Sequence, residues 1–139
     1  MKRFYFLGLC CFLFVLAGCQ TSQQELLKTD KSQVQLRSIQ TRAFDTTDRE
    51  KMLRTVIATL QDLGFVIDKA EAILGSVTAT KLQGYNLVMT VSVRPKGDTQ
   101  LLVRASAQFN VTAVTAPKPY QDFFSTLSKA MFLEAHQVD

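Results

Sequence analysis

The residues best suited to chemistry are three cysteines and one histidine, and their positions restrict what they can do. Cys10, Cys11 and Cys19 fall within the first 19 of 139 residues, and His136 stands near the end of the chain. A disulfide, a zinc site or an activated thiol needs cysteine or histidine partners within the folded domain. We therefore expect no metal site, no cofactor and no catalytic residue, and we interpret His136 as a solvated residue at a helix end.

The N-terminal residues have the pattern of an export signal. Lys2 and Arg3 precede an uncharged, mainly apolar run over residues 4–17, as in the charged n-region and apolar h-region of a signal peptide. A transmembrane helix needs about 20 apolar residues, so this run is too short for one. Residues 1–18 are accordingly predicted to be a signal peptide that is removed.

The end of this run resembles the lipobox of bacterial lipoproteins, with the sequence Leu16-Ala17-Gly18-Cys19. The resemblance implies thioether attachment of diacylglycerol to the Cys19 sulfur, cleavage before this residue and acylation of the new amino terminus. Two acyl chains already suffice for stable attachment to a membrane. Gln20, and not an aspartate, follows Cys19. By the sorting rule of many Gram-negative lipoproteins, this favours the outer membrane, with the protein facing the periplasm.

Residues 19–33 are predicted to be the lipidated cysteine and a polar tether. Residues 20–33 (QTSQQELLKTDKSQ) have only two leucines as apolar content, and about 14 residues reach at most roughly 45–50 Å. Removal of residues 1–18 leaves 14 basic and 12 acidic residues, which is not the charge pattern of a nucleic-acid binder. The expected partners are a membrane, through the lipid, and an envelope protein, with no nucleic acid.

Residues 34–139 are predicted to form a single α+β domain that begins with a strand and a helix. Val34–Phe44 mixes alternation with β-branched residues, which suggests the strand. Thr47 is expected to be the helix N-cap in a capping box with Glu50, and Gly64 is expected to end the helix. The apolar face of this helix comprises Met52, Leu53, Val56, Ile57, Leu60 and Leu63.

The rest of the domain is predicted to supply more strands and a final helix. Residues 65–67 and 73–81 are interpreted as one strand that a loop or bulge interrupts near Ala70. Residues 120–137 have a helical period, with a core side that comprises Phe123, Phe124, Leu127, Ala130, Met131 and Ala135. The predicted order is β-α-β-β-β-α. This order favours a two-layer architecture, a largely antiparallel sheet with two helices on one face.

The strongest strand signal is a hairpin over residues 87–111, with turn residues at 95–99. Pairing Arg94 with Gln100 predicts one apolar face: Leu87, Met89, Val91, Val93, Leu101, Val103, Ala105 and Ala107. The other face is the candidate site for a protein partner: Val88, Thr90, Ser92, Leu102, Arg104 and Ser106. One alternative is that basic residues on or beside the strands only keep the exposed sheet soluble and protect its edges: Arg37, Arg42, Arg94 and Arg104. Another is that a strand edge pairs with a strand of the partner.

A second resemblance concerns the domain itself. The stretches IQTRAFDT and LQDLGFVID, within residues 37–81, are similar to small uncharacterised envelope lipoproteins. The predicted element order is similar to small α+β domains of lipoprotein subunits in outer-membrane assembly machines. Neither resemblance supplies a catalytic motif.

The leading hypothesis is a non-catalytic, lipid-anchored accessory or assembly factor that binds another envelope protein. The main alternative is a periplasmic module that binds a small molecule or lipid between sheet and helices, near Phe65, Phe109, Phe123 and Phe124. A ligand cavity there should exceed about 300 Å³. An enzyme is not expected, because no nucleophile elbow or phosphate-binding loop is present in the sequence.

Overall fold

A computed structural model describes residues 32–82 and 86–136, with side chains described as far as residue 132. The predicted signal peptide, Cys19 and the tether as far as residue 31 lie outside the described residues. The chain divides into two compact units, Met1–Gln35 and Leu36–Asp139. Of the first unit, residues 32–35 are described and are helical. The sheet and its core belong to the second unit.

The described residues form an α+β fold with a six-stranded antiparallel sheet, and the predicted class is confirmed. The sheet has the order β1-β5-β4-β3-β2, and β6 pairs with the far end of β5. The element order differs from the predicted β-α-β-β-β-α, since a third helix and additional strands are present. The elements are α1 (32–40), β1 (Thr41–Phe44), α2 (Arg49–Asp62), β2 (Val66–Glu71), β3 (Ser76–Lys81), β4 (Leu87–Lys96), β5 (Gln100–Phe109), β6 (Thr112–Ala113) and α3 (Lys118–His136).

Helix α1 occupies most of the segment that was predicted to be the first strand, so that prediction is wrong for residues 34–40. The less exposed positions are Leu36, Ile39 and Gln40, a spacing of three and four that places them on one side of a helix. Leu36 and Ile39 pack against the core. The apolar residues of this segment therefore follow a helical period and not the alternation of a strand.

Helix α2 was predicted correctly, but its first turn differs from the prediction. Asp48, and not Thr47, is the N-cap, and its Oδ1 accepts a hydrogen bond from the Lys51 backbone N–H at 3.0 Å. Because Lys51 then occupies the third helical position, no capping box with Glu50 forms. At the other end Gly64 has φ +85°, and the Phe65 N–H donates to the Leu60 carbonyl at 2.9 Å. This Schellman-type ending directs Phe65 into the core.

Strands β2 and β3 replace the single interrupted strand that was predicted. A turn over residues 72–75 reverses the chain, and the two strands pair antiparallel with a bulge between Ile67 and Lys69. Gly75 has φ +69°, a conformation that disfavours side chains. The Val93 N–H donates to the Gly75 carbonyl at 2.8 Å, which fixes the turn to β4.

The hairpin of β4 and β5 is present, but its register differs from the prediction by two residues. Lys96 lies opposite Gln100, and Arg94 lies opposite Leu102. A shift of two residues leaves every side chain on its face, because the period of a strand is two. The eight residues predicted to be apolar and inward-facing are all buried: Leu87, Met89, Val91, Val93, Leu101, Val103, Ala105 and Ala107.

The core lies between this face of the sheet and helices α2 and α3. Phe123, Phe124 and Leu127 of α3 are buried, and the two phenylalanine rings meet edge-on with centroids 5.1 Å apart. Large buried side chains of this kind contribute about 1.5–3 kcal/mol each. Ala135 and His136 lie beyond the side chains that the structure describes.

Tyr120 is a fully buried core residue that was not predicted as one. Its hydroxyl donates to the Val114 carbonyl at 2.6 Å and accepts from the Ala107 N–H and Gln40 Nε2, both at 3.2 Å. Ala107 lies on β5 between the segments that pair with β1 and β6. Tyr120 therefore supplies the hydrogen-bond partner of the Ala107 N–H, which pairs with neither β1 nor β6.

Candidate protein-binding face

The predicted partner residues lie together on one face of the sheet. Thr90 lies directly opposite Ser106, and Ser92 lies directly opposite Arg104. Arg104 and Ser106 are exposed, and the other four are half-buried. The helices contribute their apolar side chains to the core on the opposite face. We call this surface the open face; its central residues are Val88, Thr90, Ser92, Leu102, Arg104 and Ser106.

Strand β3 extends the open face with hydroxyl groups that the sequence analysis missed. Thr78 lies opposite Thr90, and their Oγ1 atoms share a hydrogen bond at 3.2 Å. The Ser106 Oγ donates to the Thr90 carbonyl at 3.5 Å. The alternation in SVTATK (76–81) already places hydroxyls on one side and Val77 and Ala79 on the other. The sequence analysis treated this segment as part of one interrupted strand, so it did not predict that the segment pairs with β4.

The centre of the open face carries two arginines, while the carboxylates of Asp68 and Glu71 lie on β2 at its edge. Arg104 and Arg94 occupy diagonal positions on β5 and β4, where two residues are about 7–8 Å apart. Neither arginine forms an ion pair with any residue that the structure describes. At the edge of the face, Lys69 and Glu71 of β2 pair with each other at 2.8 Å. The centre of the face thus offers two guanidinium groups beside serine and threonine hydroxyls.

Strands β2 and β5 offer little free backbone to a partner strand. The outer strand β2 contains the bulge and exposes Asp68 and Lys69, features that protect strand edges from pairing. On the other side, β1, β6 and the Tyr120 hydroxyl occupy the edge of β5. Neither β2 nor β5 therefore offers a long free edge to a partner strand.

The aromatic residues proposed to line a ligand cavity are mostly core residues. Phe123, Phe124 and Phe65 are buried, while Phe109 is 40% exposed. A cleft of about 200 Å³ beside Phe65 is smaller than the 300 Å³ expected of a ligand cavity. It is lined by Leu63, Phe65, Lys81, Leu87, Met89, Lys118, Pro119 and Asp122.

Two wider grooves border α3, and none of the four aromatic residues lines either of them. The larger, about 870 Å³, is lined by Arg42 of β1 and by five residues of α3, among them Ser128 and Phe132. The other, about 490 Å³, extends past Phe132 toward Phe44. Their linings mix apolar residues with charged ones, among them Arg42, Lys129 and Lys51, whereas the walls of a typical ligand site are mostly apolar.

The acidic cluster at the start of α2 has structural partners. Asp48 caps the helix, the Asp45 Oδ1 accepts from Gln100 Nε2 at 2.6 Å, and Glu50 pairs with Arg54 at 2.8 Å. Within the described residues, no group of three or more histidine, cysteine, aspartate or glutamate side chains is placed to hold a metal ion. In the same part of the chain, no helix combines the length and apolar character needed to span a membrane.

No protein-family model matches the chain, and no curated protein matches it. The functional assignment therefore depends on the motif at Cys19 and on the geometry of the open face.

Proposed function

We propose that the protein is a lipid-anchored lipoprotein of the bacterial cell envelope, a non-catalytic accessory or assembly factor that binds another envelope protein. The observation that carries this proposal is the motif Leu16-Ala17-Gly18-Cys19 at the end of a short apolar run. The sulfur of Cys19 takes the lipid, and residues 20–33 connect it to the domain. Gln20 after the cysteine directs the protein to the outer membrane, facing the periplasm.

The open face supports the assignment of a binding role. Among its central residues only Val88 and Leu102 are apolar, and its two guanidinium groups have no ion-pair partner among the described residues. Such a surface is too polar for an obligate interface, which resembles a protein core. It suits a reversible partner that offers hydrogen-bond acceptors and carboxylates opposite Arg94 and Arg104.

The anchor is tested by lipid labelling in a Gram-negative host that is fed a clickable palmitate analogue. The native chain and the Cys11→Ala control are expected to carry the label, and Cys19→Ala is expected to lose it. Cys11 is the matched control because it belongs to the predicted signal peptide. Label on Cys19→Ala, or none on the native chain, would contradict the anchor.

The binding role is tested by photocrosslinking in cells from Thr90 and Ser106 on the open face. The same photoreactive residue at Ala58, which is exposed on α2, is the control. One envelope protein captured from both sheet positions and not from Ala58 is the expected result. Equal capture from Ala58, or capture from none of the positions, would contradict a partner on the open face.

A further inference from the structure

The turn between β2 and β3 exposes two consecutive aliphatic side chains. Ile73 is 92% exposed and Leu74 is 66% exposed. No other two large hydrophobic residues so exposed are adjacent in the part of the chain that the structure describes. We call this pair the turn tip.

The turn tip is held in place from three sides. Arg49 Nη2 of α2 donates to the Ile73 carbonyl at 2.9 Å. The Gly75 N–H donates to the Glu71 carbonyl at 2.8 Å, and the Gly75 carbonyl accepts from Val93 of β4 at 2.8 Å. A turn fixed in this way presents its side chains without a large loss of conformational entropy on binding.

Cationic side chains accompany the turn tip. The bond from Val93 to Gly75 brings the end of β4 alongside the turn, and Arg94 and Lys96 follow on β4 with exposed side chains. Neither forms an ion pair with the described residues. Of the carboxylates at this end of the sheet, Glu71 is paired with Lys69 and Glu50 with Arg54. Asp48 caps α2, Asp45 accepts from Gln100, and Asp98 in the next turn is a partial counter-charge. The balance at this end of the sheet is positive.

We propose that the turn tip is a second membrane contact, in which Ile73 and Leu74 enter the interface of an anionic lipid surface and Arg94 and Lys96 meet its headgroups. Apolar side chains beside unpaired cations are the combination that binds anionic bilayers. The proposal rests on the proposed lipid anchor, since a tether of about 14 residues keeps the domain at high effective concentration beside the bilayer. The contact itself is reversible and separate from the anchor.

The chain contains no tryptophan, so a single introduced tryptophan reports the environment of one site. Ile73→Trp places this reporter at the turn tip, where 92% exposure leaves room for it without disturbing the core. Val111→Trp is the matched control, because Val111 is 94% exposed in the turn between β5 and β6. The full chain is mixed with phosphatidylglycerol vesicles that contain brominated acyl chains, and both variants carry the same N-terminal segment.

Tryptophan emission of the Ile73→Trp variant is expected to shift to shorter wavelength and to be quenched by the brominated chains, while emission of the Val111→Trp variant stays that of a solvated residue. Arg94→Glu with Lys96→Glu in the Ile73→Trp background should reduce the quenching, as should high salt, which screens the headgroup attraction.

Unshifted, unquenched emission of the Ile73→Trp variant would overturn the proposal. Equal quenching of the Ile73→Trp and Val111→Trp variants would overturn it too, as would equal quenching on phosphatidylcholine vesicles. Lipid labelling at Cys19 is read separately, so failure of the turn-tip contact leaves the anchor unaffected.

Discussion

The hydroxyl group of Tyr120 forms hydrogen bonds with backbone groups at the edge of β5. It accepts from the Ala107 N–H and donates to the Val114 carbonyl, and the whole side chain is buried. A buried backbone N–H without a partner costs about 1–3 kcal/mol.

Tyr120→Phe is therefore expected to lower the free energy of unfolding by about 1–3 kcal/mol, because the phenyl ring keeps the packing but leaves Ala107 N–H unsatisfied. Urea denaturation should show an earlier midpoint with an unchanged slope. Ser125→Ala, at an exposed position of the same helix, should change the stability by less than about 0.5 kcal/mol. A Tyr120→Phe variant as stable as this control would contradict the role of the hydroxyl.

Thr59 on α2 differs from Tyr120, whose hydroxyl group is hydrogen-bonded. Its Oγ1 is buried and has no hydrogen-bond partner among the described residues. Thr59→Val should raise the free energy of unfolding by about 1 kcal/mol, since a methyl group replaces the unsatisfied hydroxyl at similar volume and helix propensity.

Thr55→Val is the matched control for Thr59→Val in the same denaturation experiment. Thr55 is also buried, but its Oγ1 donates to the Lys51 carbonyl at 2.8 Å. Thr55→Val should therefore not raise the free energy of unfolding. Equal stabilisation of both variants would show that helix propensity or packing, and not the unpaired hydroxyl, decides the effect.

At the scale of the elements, the two glycine turns differ in what surrounds them. A Cβ atom on Gly75 would lie 2.6 Å from the Val93 carbonyl oxygen and would clash with the Arg49 guanidinium, whereas one on Gly97 would meet nothing within 4 Å. Both residues have positive φ, +69° and +60°.

Gly97→Ala is expected to cost about 1–2 kcal/mol, the penalty of a left-handed backbone alone. Gly75→Ala should cost clearly more, because the backbone of β4 must also move. Thermal unfolding of the two variants gives the comparison. Equal losses would mean that the β2–β3 turn is not packed against β4 and Arg49 as described.

The alternation of apolar and polar residues predicted which side chains share a face of the sheet better than it predicted how the strands are connected. The six open-face residues were assigned to the correct side of the sheet even though the Arg94–Gln100 register was wrong, because an even shift preserves the face. The helix over residues 32–40 was missed since a few positions fit both periods, and tertiary contacts of Leu36 and Ile39 decide between them. The turn tip was missed because its apolar residues read as a continuation of a strand.

At the scale of the whole molecule, arginines lie on both faces of the sheet and differ in the contacts that they make. Arg42 of β1 lies on the helix side, with its guanidinium carbon 4.9 Å from the ring centroid of Phe124 and Nη1 donating to Ser128 Oγ at 3.3 Å. Arg104 of β5 lies on the open face without an ion pair among the described residues. One arginine contributes to packing, and the other is available to a partner.

Arg104→Glu should therefore leave the unfolding free energy within about 0.5 kcal/mol of the native value and reduce photocrosslinking from Thr90. Arg42→Ala should lose about 0.5–1 kcal/mol through its contact with Phe124 and keep the crosslink. Denaturation and crosslink yield are measured on both variants. Loss of the crosslink in Arg42→Ala and not in Arg104→Glu would place the partner on the helix side.

The pairing of β1 with β5 also sets the order in which the domain can form. Thr41 lies opposite Arg104, and Gln40 reaches the Tyr120 hydroxyl across 80 positions of sequence. Contacts so distant in sequence slow folding, because a long loop must close before they form. Since synthesis proceeds from the N-terminus, β1 is made early and cannot pair until β5 has followed it.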